Sequence, residues 1–394
     1  MNPYFAYSIS FLVAIGVYLL GWSNIYPTLS PVLLGFLGTS ILASVVAGFY
    51  WNRKINIKFK NILPDRNIAF ITTLIYALWI CEFIYEGGVP VIKILLQQQY
   101  DYVHFGIPSL HVFIVTFSSF YTIYLFHLFL SLREKRILWF YAINLFAAIL
   151  IYNRGMLMFN VVSSCCLYIH ATKTIPFRIL VVAPFILAIC LFLFGVVGNI
   201  RVSQIDQTSY NNSTFLTHGG ASENFKNSII PNEFFWTYIY TSSPIANLQK
   251  NINNADQHVS LTWFIKMVNN EMIFDSISKR INSIYGIPHP GEHTINGSFN
   301  VSTIYSVAYS HLGWLGMAIM FCYILIFPMV YRKLNKSNSP FYLTGFAILV
   351  TMYFFMAFDN TIRFTGLSFQ LVYPLIFAWL EMRGIFILRK SPQI

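Results

Sequence analysis

The segment Gly286-Ile287-Pro288-His289-Pro290-Gly291-Glu292-His293-Thr294 gathers two imidazoles and a carboxylate in a turn bounded by Pro and Gly. Transfer of a group onto a hydroxyl needs a base to take the hydroxyl proton, and Glu292 or His293 has the right chemistry. The same residues also read as a polar turn leading into the next helix. Their spacing matches no metal-ligand pattern, so neither a metal nor a cofactor is expected. Three arginines flank apolar runs: Arg154 in the turn Asn153-Arg154-Gly155, Arg201 directly after a run, and Arg363 in Asp359-Asn360-Thr361-Ile362-Arg363. The guanidinium fork pairs two phosphate oxygens at once, so the three together would suit a pyrophosphate. Each is equally readable as a snorkelling or paired surface arginine, Arg363 with Asp359. A further polar segment, Tyr100 to His111, sets Asp101, His104 and His111 among aromatic rings. That mixture suits sugar faces and hydroxyls, and also an interfacial aromatic belt. Glu82 stands near the end of an apolar run, either with a role there or as an interfacial carboxylate with none.

The elements that position these residues are set by composition. Of 394 residues, 56% are hydrophobic and 10% charged, and the mean hydropathy is +0.60. A soluble domain carries roughly 25% charged residues, so lipid must solvate most of this chain. The net charge of +11 then reports loop bias and anionic lipid, and no basic, aromatic-interleaved region points to nucleic acid. The five cysteines lie in apolar runs and read as buried small hydrophobes.

A bilayer core of about 30 Å takes roughly 20 apolar residues. Ten segments qualify: 4–20, 30–50, 67–85, 109–130, 137–152, 155–170, 179–199, 303–330, 340–358 and 366–381. The fifth and sixth are short and are readable as one broken hairpin. The first lacks a preceding Lys or Arg and a small-residue cleavage site, and is expected to be retained. Sixteen of the 25 Lys and Arg fall in one alternate set of loops, mostly short. The positive-inside rule makes that set cytoplasmic, together with both termini. The chain thus divides into residues 1–199 (seven spans), 200–301 (a large loop on the far side) and 302–394 (three spans). The loop is expected to be partly helical: Pro231 opens one helix with Phe234, Phe235 and Tyr238. Trp263, Met267, Phe274, Ile277, Ile281 and Ile284 mark an amphipathic second one. Charges are scarce at mid-depth, which disfavours an ion-coupled carrier and places the chemistry at the outer surface.

With these features the chain resembles the O-antigen polymerase (Wzy) family of bacterial inner membranes. The likeness runs over most of the length: many Phe-rich spans, arginines in outer loops and one dominant periplasmic loop. The local strings are Phe105-Gly106-Ile107-Pro108-Ser109-Leu110-His111, Asn153-Arg154-Gly155, and Asn300-Val301-Ser302-Thr303 followed by Gly313 and Gly316. Where related ligases carry a His-Asn pair, this chain has Asn300 and Thr303. The resemblance implies a C-type glycosyltransferase-like, all-α polytopic membrane protein. It implies an inverting transfer of a growing glycan from undecaprenyl pyrophosphate onto a new lipid-linked repeat unit at the periplasmic face. The partners would be that lipid-linked oligosaccharide, membrane lipid, and the chain-length regulator and flippase of the same pathway. A flippase or other transporter of the same lipid, and a ligase, are the alternatives.

Overall fold

The computed structural model describes residues 1–55, 57–62, 67–96, 98, 105–172, 176–205, 212–256, 259–287 and 291–383, with the side chains of residues 180, 201–205 and 212–214 excepted. Among the described residues the fold is all helical, with one isolated antiparallel bridge, Ser23 to Ala221. The helices are α1 (Pro3–Tyr18), α2 (Pro31–Lys54), α3 (Ile68–Tyr85), α4 (Pro90–Leu95), α5 (Leu110–Leu132), α6 (Lys135–Leu150), α7 (Arg154–Ala171), α8 (Phe177–Ile205), α9 (Asn212–His218), α10 (Glu223–Lys226), α11 (Phe234–Asn254), α12 (Leu261–Met267), α13 (Asp275–Tyr285), α14 (Ser306–Leu334), α15 (Tyr342–Phe354), α16 (Thr365–Ser368) and α17 (Val372–Met382).

Among the described residues, five stretches are long and apolar enough to cross a bilayer: α2, α3, α5, residues Phe177–Ile200 of α8, and α14. The helices α1 and α15 are apolar but shorter. The outward face of α8 shows why lipid is the solvent: Phe177, Phe185, Leu187 and Ile189 are all exposed. Large exposed apolar faces of this kind mark membrane or protein contact. The cysteines depart from the expected burial. Cys81, Cys165, Cys190 and Cys322 are exposed on the outsides of their helices and Cys166 is half-buried, as small apolar groups facing lipid can be.

Residues 137–170 form two helices, α6 and α7, packed on one another. α6 ends at Leu150, Tyr152 takes φ 55°, and the Asn153 side chain accepts from the Met156 N–H to start α7. The last apolar run is also split, into α16, a 3-10 turn at Phe369–Leu371, and α17. The helix α14 breaks at Gly313 (φ 59°, ψ −141°), so its first two turns approach at their own angle and are wholly buried.

Loops gather at two ends of the bundle. At one end, the Lys60 ammonium donates to the Ser337 carbonyl, and the Met1 amine meets His170. At the other, the turn after α1 pairs with residues 219–222, and Asp275 and Ser276 pair with Arg363 and Thr365. The helix α11 packs on α1, α8 and α14 at this second end.

Close approach of α8 to α11 depends on Gly195, where an added Cβ would fall 2.1 Å from the Glu233 carbonyl oxygen. Backbone cannot yield as a flexible side chain can. We expect Gly195→Ala to destabilise the purified protein by about 1–3 kcal/mol. Gly16→Ala, with nothing within 4 Å, serves as the control and should unfold at the wild-type temperature or above.

Candidate functional site

The second helical stretch of the large loop is broken where the sequence pattern predicts continuity. After α12, Val268–Met272 form a π-helical turn, and Ile273 and Phe274 are non-helical (ψ 149° and 130°) before α13 begins. A π turn inserts a residue and re-aims the side chains around it, and such turns are frequent at functional sites. Here it turns Asn269, Asn270 and Glu271 into the protein, each at most 5% exposed.

Glu271 meets the turn between α15 and α16. Its Oε1 accepts from Arg363 Nη1 at 3.0 Å, and its Oε2 from Asn360 Nδ2 at 2.9 Å. Asn360 Nδ2 also donates to the Glu271 carbonyl, and Asn360 Oδ1 accepts the Arg363 N–H. Asp275, first residue of α13, fastens the same turn: its N–H donates to the Arg363 carbonyl, and its Oδ1 accepts the Thr365 N–H and hydroxyl. Arg363 is thus paired with Glu271 and not, as the sequence spacing allows, with its neighbour Asp359. Asp359 is exposed and accepts the Asn360 N–H at 2.6 Å.

The electrostatics follow from burial. Loss of water pushes the Glu271 carboxyl up to about 7, although Arg363 and Asn360 pull it down. Burial also pushes Glu292 up, to about 8, and the like charges of Glu271 and Asp359 add to the rise; Arg363 opposes it. Burial would lower the Arg363 guanidinium, but Glu271 and then Asp359 hold it above its ordinary value. Asp275 is the exception. Burial raises its carboxyl, and the Thr365 hydrogen bonds with Lys279 outweigh that, leaving it low. Burial thus favours the protonated forms of Glu271 and Glu292 beside one guanidinium.

Glu292 lies in the irregular segment ahead of α14. Two buried asparagines of α11 grip this segment: Asn251 Oδ1 accepts the His293 N–H, and Asn247 Oδ1 the Ile295 N–H. The His293 residue itself is exposed. His111 at the head of α5 is hydrogen-bonded to the fully buried Glu82 through Nδ1 to Oε2 at 2.9 Å. The loop before α5 wraps this pair. Ile107 and Gly106 donate their N–H groups to Glu82 and Glu86. Gly106 has φ 97°, and a Cβ there would strike the His111 ring at 2.5 Å. Arg280 of α13 reaches Ser109 Oγ at 3.2 Å, which links this region to the loop helices.

Of the residues singled out in the sequence, the structure brings Glu292 and Arg363 into electrostatic reach of one another. Arg154 lies elsewhere in its contacts, with its guanidinium 5.9 Å from the Tyr152 ring centre and 5.8 Å from that of Phe194. Arg201 belongs to α8, but its side chain lies outside the described residues, as do Asp101, His104 and His289 altogether. Glu271 and Asn360 were not anticipated. The signal for Glu271 was present: on the stripe Trp263, Met267, Phe274, the same face carries Asn270 and Glu271, polar residues where apolar ones belong.

The arrangement can accept a proton from a hydroxyl at Glu292, while both oxygens of the buried Glu271 are engaged by Arg363 and Asn360. It also presents a guanidinium with more donors than the single Nη1 contact to Glu271 uses, on a side chain 27% exposed. No protein-family model, no curated protein and no solved structure matches this chain.

Proposed function

We propose that the chain is a polymerase of lipid-linked oligosaccharide repeat units, acting at the periplasmic face of a bacterial inner membrane. The observation that carries this reading is the Glu292, Glu271, Asp359 and Arg363 cluster, a proton acceptor beside a guanidinium at one end of an apolar helical bundle. The end with the lysine-rich loops is cytoplasmic, both termini lie there, and the ten apolar runs cross the membrane as in a C-type glycosyltransferase. The large loop then lies outside.

In the reaction, Glu292 takes the proton of a sugar hydroxyl on the incoming repeat unit. The freed oxygen bonds to the anomeric carbon of the growing chain on the face opposite the leaving group, inverting that centre. The bond from that carbon to pyrophosphate oxygen breaks, and undecaprenyl pyrophosphate departs with the negative charge. Arg363 meets that charge. Charge developing in a site short of water is stabilised strongly by donors already in place. The walls formed by the loop helices keep water from attacking in place of the sugar.

Loss of the protein separates this reading from its rivals. Cells without it should still attach a single repeat unit to their lipid core and make no longer chains. Bare lipid core would point instead to a ligase or a flippase and sink the polymerase reading.

A further inference from the structure

We infer that Asn247 and Asn251 are positioning residues that hold the Glu292 segment against the carboxylate and guanidinium cluster. The two stand four residues apart on α11, hence on one face of that helix, and both are completely buried. Each uses its whole amide. Asn251 Oδ1 accepts the His293 N–H at 3.2 Å, and its Nδ2 donates to the Ser306 carbonyl at 2.9 Å and to Ser310 Oγ at 2.8 Å. Asn247 Oδ1 accepts the Ile295 N–H at 2.8 Å, and its Nδ2 donates to the Phe299 and Val301 carbonyls at 2.5 and 2.7 Å.

The segment from Gly291 to Val301 has no helix or strand to supply partners for its own backbone. Buried backbone groups must find partners, and side-chain amides on a rigid helix supply four of them here. The same Asn251 amide that fixes the residue next to Glu292 also fixes the first turn of α14. The placement of Glu292 is therefore slaved to α11 and α14, both rigid elements. Truncating either asparagine leaves buried N–H and carbonyl groups unpaired, and the segment relieves that by moving toward water. Glu292 then loses the surroundings that disfavour its charge.

The catalytic part of this role rests on reading Glu292 as the proton acceptor, but its placement is measurable without any activity. Water-soluble carbodiimide with an amine labels protonated carboxyls, and mass spectrometry of the full-length protein in detergent reports Glu292 alone. In the wild type, labelling should fall with a midpoint near pH 8. In Asn251→Ala and Asn247→Ala the midpoint should drop by at least one unit. In Ser310→Ala, which keeps the His293 contact, it should stay at the wild-type value. Asn251→Ser is the milder replacement for use if the alanine protein does not insert. Wild-type midpoints in monodisperse asparagine variants would overturn the inference. A shifted midpoint in a protein that extends no glycan would leave the inference standing and remove the polymerase reading.

Discussion

Replacing Glu292 by Gln is expected to lower chain extension by about 10²–10⁴-fold, the usual contribution of a positioned general base. The pH dependence distinguishes this from a loss of folding. A base whose proton leaves near pH 8 should give a rate that rises through neutrality and levels off above about 8. Gln at this position should remove that limb and leave a flat, low rate. Stability must run the other way. The carboxyl is raised from 4.5 in the unfolded chain to about 8 in the folded protein. Its contribution is complete below pH 4.5 and lost as pH rises through about 8. Glu271, raised to about 7, adds in the same direction at lower pH. The purified protein should therefore lose thermal stability across the range in which it gains activity. Glu292→Gln should weaken that loss. An unaltered rate and pH profile in the Gln variant would exclude Glu292 as the base.

Arg363→Ala is expected to reduce chain extension by about 10²–10³-fold, as for other preorganised groups that meet transition-state charge. It should also destabilise the protein, because Glu271 is 1% exposed and would lose its ionic partner. Breaking a buried pair on one side typically costs about 3–5 kcal/mol. Here part of that is relieved by protonation, since Glu271 already titrates near neutrality. The two effects separate in a double variant. Glu271→Gln combined with Arg363→Ala removes the unpaired charge and should recover most of the lost stability without recovering activity. Arg363→Lys restores a charge without the fork, and should recover only part of the rate. If the double variant extends glycan as well as Glu271→Gln alone, the arginine serves only to neutralise Glu271.

The helical architecture was legible in the sequence because its signal is local: each of the ten apolar runs coincides with at least one helix. The sequence leaves the arrangement of residues 137–170 open between two short spans and one broken hairpin, and the Asn153 cap that starts α7 was not used to decide it. The fracture of the second loop helix was not legible, because its cause is tertiary. The stripe from Trp263 to Ile284 has helical spacing throughout, yet Glu271 and Asn270 leave that register to meet Arg363, Asn360 and His311. Arg363 was singled out as a guanidinium beside an apolar run and Glu292 as a carboxylate in a Pro- and Gly-bounded turn with two histidines. Asn247 and Asn251 were passed over as ordinary polar residues of a loop helix. Only the fold shows that they face inward and hold an irregular segment. Glu82 was read as an interfacial carboxylate with an open role, and its hydrogen bond to His111 ties α3 to the head of α5.

The most direct test is polymerisation by the purified full-length protein, given only undecaprenyl-pyrophosphate-linked repeat units in proteoliposomes. A ladder of longer lipid-linked glycans is expected, with one undecaprenyl pyrophosphate released for each new linkage. It should form with no lipid-core acceptor, no nucleotide sugar and no added metal. Repeat units that stay single, or that transfer only when lipid core is supplied, would contradict the assignment.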